Sequence, residues 1–176
     1  LEVYYGALSS DGGATVKRLM GNQEVLPQVQ NLLQLVNLPS MVRRGLAPLM
    51  RARGEHKVAM MLDQVGRKPL ETYWSLTAER SRIRRAVNEH WNETGLDAVV
   101  CPAHATPAVG HRQSGDFTIA GCYSMRYNFL NFAAGAVPVS RVRPDEQERA
   151  LVDADRVDKK AALVESQTAG LPLGVQ

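Results

Sequence analysis

The sequence predicts an α/β architecture in which an incomplete mixed sheet is flanked by helices. Three observations carry that prediction. A long amphipathic segment from about residue 71 to 94 runs directly into the β-branched run LDAVVCPA. Two further apolar runs, AAGAVPVSRV at 133–142 and GLPLGVQ at 170–176, read as strands. Segments of helical pattern separate the three runs, which is the alternation expected of an α/β domain. With 44% hydrophobic and 22% charged residues, the 176-residue chain can bury one substantial core.

The elements follow in order. An apolar LEVYYGAL segment opens the chain, and SSDGG leads into ATVKRLM, where Val16, Leu19 and Met20 keep helical spacing. Asp11 is placed to accept the orphan amides of that helix's first turn. Val29, Leu32, Leu33 and Val36 mark a short helix, and Pro39 opens another with Val42, Leu46, Leu49 and Met50 on one face. Pro48 is expected to bend or end that second helix, because it lacks a donor and crowds the preceding turn. In the helix at 71–94, Tyr73, Leu76, Ile83, Val87 and Trp91 hold the 3.6 period, and Gly95 is expected to stop it in a left-handed conformation. The strand LDAVVCPA ends at Pro102. A glycine-marked loop around His111 to Gly115 leads into a helix from Thr118 to Phe132. Gly135, in the second strand, is expected to allow close backbone approach. Residues 144–168 read as a loop plus a surface helix.

The net charge of +3 is blocked rather than spread. Met41 to Lys57 holds five cations, Arg43, Arg44, Arg51, Arg53 and Lys57, against the single anion Glu55. A second cluster, Arg80, Arg82, Arg84 and Arg85, is offset by Asp145, Glu146, Glu148, Asp153, Asp155 and Asp158. Two cysteines and four histidines are too few and too scattered for a disulfide framework or a metal cluster, so neither a metal nor another cofactor is expected. Nothing resembles a signal peptide, and no apolar stretch approaches the roughly 20 residues that span a bilayer. The expected location is cytoplasmic or peripheral to a membrane. Because the chain starts at Leu1 and its last residues read as the start or middle of a buried strand, both ends are expected to be cut.

The segment YNFLNFAAGAVPV, residues 127–139, resembles the pattern of an asparagine, then Pro-Ala-Gly and a further proline, found late in amidase-signature enzymes. The YYGALSSDGG opening, LDAVVCPA and GLPLGVQ fall in the same order as in the fatty-acid amide hydrolase branch, and together the four stretches cover most of the chain. One position departs: Ala133 stands where the family has proline. The resemblance implies that residues 1–176 are the carboxy-terminal portion of an amidase domain. Residues 28–62 would form a helical cap-like insertion, and 71–142 with 170–176 the sheet-and-helix core. It further implies a serine hydrolase that cleaves an amide through an acyl-enzyme, using a Ser-Ser-Lys triad. No catalytic residue is expected within this chain. Ser9 and Ser10 form its only serine pair, but they occupy a turn that lies after the family's catalytic stretch, so the triad is expected upstream of Leu1.

The resemblance assigns substrate contact to the segment before and around the asparagine motif. Thr118 and Met125 match positions facing an acyl-chain channel, and a methionine thioether adapts to varied apolar ligands. Phe129, Phe132 and Gly135 border the same region, and Asn128 is expected to orient backbone rather than do chemistry. Plain core packing is an equal alternative for Met125. Residues 28–62 match the hydrophobic cap by which the lipid-amide branch docks on membranes. Val42, Leu46, Leu49 and Met50, flanked by Arg43 and Arg44, would meet an anionic surface there, or else form an ordinary surface or a subunit interface such as that of a homodimer. Burial would contribute about 1.5 to 3 kcal/mol per apolar side chain, and anionic lipid about 1 kcal/mol per basic residue.

The remaining candidates carry less. Cys101 at a strand end invites a Cys–His pairing with His104, but a small buried residue explains it better, as it does Cys122. His104 and His111 flank the ATPAVG loop, whereas His56 and His90 are solvated. Three functions follow: a hydrolase of fatty-acid amides with this segment as its pocket half, an amidase or amidotransferase-type enzyme acting on small amides, or a basic module binding membranes or nucleic acid. The expected ligand is a small-molecule amide. Nucleic acid fits poorly, because no aromatics interleave with the arginines.

Overall fold

The computed structural model of the chain describes residues 1–152 and 154–176, so Asp153 of the acidic stretch lies outside the described residues. It divides into two compact units, Leu1–Arg82 and Ile83–Gln176. The described residues are mostly helical, with one small antiparallel sheet.

The first unit holds α1 (Glu2–Leu8), α2 (Ala14–Met20), α3 (Pro27–Asn37), α4 (Ser40–Ala52) and α5 (His56–Gln64). Between α1 and α2, the Asp11 carboxylate accepts from the amides of Gly13 at 2.7 Å and Thr15 at 2.8 Å. The expected capping is therefore present, although Gly13, with φ of 77°, is the residue immediately before the helix. The Thr15 amide bond is the main reason that the Asp11 carboxyl lies below its ordinary pKa. Tyr5, Ala47, Ala59, Leu62 and Val65 are buried, and α5 packs against both α4 and α1.

Of the bend or end expected at Pro48, the end does not occur: α4 continues to Ala52. The amide that Pro48 lacks would have bonded the Arg44 carbonyl. Both residues are exposed, so solvent can satisfy that oxygen, while Ala47 beside them is fully buried. Packing against α5 therefore outweighs the local propensity.

The long helix α6 (Leu70–Thr94) begins in the first unit and ends in the second. It ends as its sequence requires: Gly95 adopts φ of 64°, its amide donates to Asn92 O at 3.3 Å, and the Leu96 amide donates to Trp91 O at 3.2 Å. That pair of bonds is a Schellman motif, which only glycine enters without strain.

In the second unit, the residues from Leu96 to Cys101 do not form the predicted strand. Only the end of that run finds a partner. Cys101 exchanges backbone bonds of 3.0 and 2.8 Å with Gln176, and Pro102 bridges Val175. A β-branched run favours a pleated surface only where a neighbouring strand supplies the ladder, and Val100 stays 73% exposed. The sheet itself pairs β1 (Val137–Arg141) with β2 (Pro172–Val175), antiparallel. Its register slips between Pro138 and Ser140, next to the residue that cannot donate to a ladder. The α/β expectation thus holds only in part, as a two-stranded antiparallel sheet beside helices.

The helix expected from Thr118 to Phe132 is shorter and compound. A 3-10 segment, Ser114–Gly121, is kinked at Phe117 and precedes α7 (Cys122–Leu130). The two glycines of that segment weaken continuous α-helix. The surface helix in 144–168 is α8 (Arg156–Glu165), whose N-cap Asp155 accepts from Val157 and Asp158 amides at 2.9 and 3.0 Å. Phe117, Ala120 and Ala161 form the buried cluster of this unit, with Val109, Val157 and Val164 packed against it.

Candidate functional site

The geometry centres on the carboxyl ends of α6 and α7. Helix α7 closes with Asn131 at φ of 63°, a left-handed conformation that asparagine tolerates better than most residues. Its amide donates to Asn128 O at 3.1 Å, and the Phe132 amide donates to Tyr127 O at 3.0 Å. This is the same capping arrangement that Gly95 gives α6, and it aims Phe132 back across the helix end. The Phe132 ring meets Trp91 edge to face, with centroids 5.5 Å apart and planes at 81°, and stacks on Tyr127 at 6.5 Å and 29°.

Beside this aromatic group lies an open groove of about 490 Å³, lined by Asn88, Trp91, Asn92, Asn131, Phe132 and Ala133. Its lining joins three asparagines, whose carboxamides each carry one acceptor and two donors, to two aromatic residues. None of the lining residues is a nucleophile or a general base. Tyr127 hydrogen-bonds Cys101, and its hydroxyl pKa is raised, chiefly by burial and then by that thiol.

Of the residues expected to contact substrate, Phe132 alone lines this groove. Met125 is half-buried and folds back on its own helix, its Cε lying 3.4 Å from where a Cβ on Gly121 would be. Thr118 and Phe129 are half-buried, and Asn128 is exposed, with its carbonyl engaged in the helix end. Gly135 is a correction: a Cβ there would have no atom within 4 Å, so no close backbone approach requires glycine. Asn88, Trp91, Asn92 and Asn131 were missed. The signal available was an asparagine directly before an aromatic at a predicted helix end, as in FLNF.

The serine pair does structural work. Ser9 Oγ donates to Tyr5 O at 2.6 Å and accepts from the Gly66 amide at 2.9 Å, while Ser10 Oγ donates to Ala7 O at 2.7 Å. His104 Nδ1 lies against Thr106, 3.1 Å from both its carbonyl oxygen and its hydroxyl. Both cysteines are free thiols.

On the expected cap face, Val42 and Leu49 are each 44% exposed, while Leu46 and Met50 are half-buried. Arg44 is exposed. Arg43 is not: it is buried, its Nε donates to Leu38 O at 3.2 Å, and a Cβ on Gly66 would fall on its guanidinium. It shares an inner face with Ala47, one turn on. No helix among the described residues is long and apolar enough to cross a membrane.

Comparison with known proteins places this geometry in context. The family model described as Amidase matches residues 1–176. Fatty-acid amide hydrolase 1 of Sus scrofa is 30% identical over 178 residues, which cover 97% of this chain and 30% of that protein. Fatty acid amide hydrolase 1 of Caenorhabditis elegans is 25% identical over 189 residues, covering 100% of this chain and 31% of that protein. The chain thus spans about a third of the length of these curated relatives. With the family's pattern matched along its whole length, the chain belongs to the amidase family.

Proposed function

We propose that the intact protein is a hydrolase of carbon–nitrogen amide bonds acting through a serine acyl-enzyme, and that residues 1–176 supply part of its substrate pocket. The observation that carries this reading is the amidase match along the whole chain, joined to two relatives whose names are fatty-acid amide hydrolase. Fatty-acid amides are the proposed substrates. In support, the groove sets the Trp91 and Phe132 rings beside three carboxamides, a fit for an alkyl chain ending in an amide. Thr118, Met125 and Phe129 extend that wall in the proposal, with Asn128 shaping its backbone. The nucleophile, its bridging serine and the lysine are assigned to sequence outside these residues, and the segment alone is expected to be inactive. Steady-state turnover of long-chain and short-chain aliphatic amides by the intact protein tests the substrate assignment. Higher kcat/KM for the long chain is expected, and a preference for the short chain would leave only a small-amide amidase.

Contact with an anionic membrane surface belongs to the same reading. The exposed Met41, Val42 and Leu49, with Arg44, Arg51 and Arg53 exposed along the same helix and its end, favour it over a purely polar surface. Flotation of the intact protein with anionic vesicles, weakening steeply with salt, is the expected result.

A further inference from the structure

We propose that Arg43 and Lys68 form a binding site for an oxyanion, the phosphate or carboxylate group of a ligand, where α4 meets the Val65–Lys68 segment. Arg43 is only 7% exposed, yet among the described residues its guanidinium has a single hydrogen bond, from Nε to Leu38 O. Neither Nη1 nor Nη2 has an ion-pair or hydrogen-bond partner there. The guanidinium lies flat on Gly66, whose φ of 109° and missing side chain make room for it. Lys68, partly buried, stands two residues after that glycine, which brings a second cation to the same segment. A guanidinium so largely withdrawn from water, with no counter-charge among the described residues, is unfavourable unless an anion joins it. Burial, and then the Arg43 charge, hold the Lys68 ammonium below its ordinary pKa, as that juxtaposition requires.

Several carboxylates of this unit are engaged elsewhere. Asp11 accepts from backbone amides, Asp63 pairs with Arg51, and Glu79 pairs with Arg82. The site is also reachable. Among the described residues no side-chain nitrogen or oxygen is both sealed from solvent and without a hydrogen bond, so the two unbonded nitrogens of Arg43 keep an opening to solvent. Two Nη donors in a planar fork, with an ammonium on the neighbouring segment, suit an oxyanion.

The inference stands apart from the amide-hydrolase reading, since anion binding and amide turnover can each fail without the other. Its test is calorimetric titration of the intact protein with inorganic phosphate. Flotation with phosphatidylcholine vesicles, with and without phosphatidic acid, is run alongside. Saturable phosphate binding is expected. It should weaken about tenfold or more in Lys68→Gln and vanish in Arg43→Gln. Because the Arg43 variant also loses its bond to Leu38, the half-exposed Lys68 decides the matter if that variant fails to fold. Vesicle capture that needs phosphatidic acid and falls in Lys68→Gln identifies a lipid headgroup as the source. Capture unchanged by that variant, with phosphate binding weakened, identifies a soluble anion. Absence of both phosphate binding and phosphatidic-acid capture would overturn the proposal, as would a Lys68→Gln variant matching the parent in both. Either result would mean that a carboxylate of the protein itself answers the two cations.

Discussion

Replacing Phe132 with alanine removes a half-buried ring that touches two others, and the structure sets the size of the loss. Full burial of such a side chain contributes about 1.5 to 3 kcal/mol, so the half-buried Phe132 accounts for about 0.8 to 1.5 kcal/mol. The edge-to-face pair with Trp91 adds about 0.5 to 1.5 kcal/mol. A double-mutant cycle isolates that second part: Phe132→Ala, Trp91→Ala and the double variant, followed by urea denaturation of the intact protein with far-UV circular dichroism. A coupling energy of about 0.5 to 1.5 kcal/mol is expected, and Phe132→Leu should keep most of the burial while losing the coupling. If the single effects add to within about 0.3 kcal/mol, the two rings do not act on one another and the aromatic wall of the groove is wrongly drawn.

Other expectations follow from single contacts. Asp11→Ala should cost about 0.5 to 2 kcal/mol at neutral pH. Because folding lowers the Asp11 pKa from its ordinary 3.8, the contribution is present above that value and is lost as pH falls through the folded value. The stability gap between parent and variant should therefore close in acid, and a gap independent of pH would refute the capping role. Arg149 binds both carboxylate oxygens of the partly buried Glu165, at 2.6 and 2.9 Å, and Ala105 O at 3.0 Å. Arg149→Ala should lower stability by about 1 to 3 kcal/mol, and Arg149→Lys should restore little of it, since an ammonium cannot make the forked contact. Gly95→Ala should cost about 1 to 2 kcal/mol in thermal unfolding, through left-handed strain at the end of α6; an unchanged melting temperature would contradict the cap.

Where the sequence was legible, the deciding interactions were local. The span of α6 follows from one sustained apolar period and a glycine that only a left-handed cap requires. The SSDGG turn was equally legible, because a carboxylate two to four residues before its amides needs no tertiary partner. Non-local terms defeated the same reasoning elsewhere. LDAVVCPA has the composition of a strand, yet just its last residues meet a ladder partner. Pro48 was overridden by helix packing at Ala47, and Arg43 turned inward although Arg44 beside it is a solvated cation. Of the groove's lining, Phe132 is the residue that the family pattern names. Trp91 comes from a helix some forty residues earlier, and no local pattern announces that meeting.

Labelling the intact protein with a serine-reactive fluorophosphonate, followed by peptide mapping, tests the central claim most directly. The account predicts one labelled serine outside residues 1–176, with amide turnover lost in proportion to labelling. A label on Ser9, Ser10 or any other serine of this segment, or amide turnover that persists in a fully labelled protein, would contradict it.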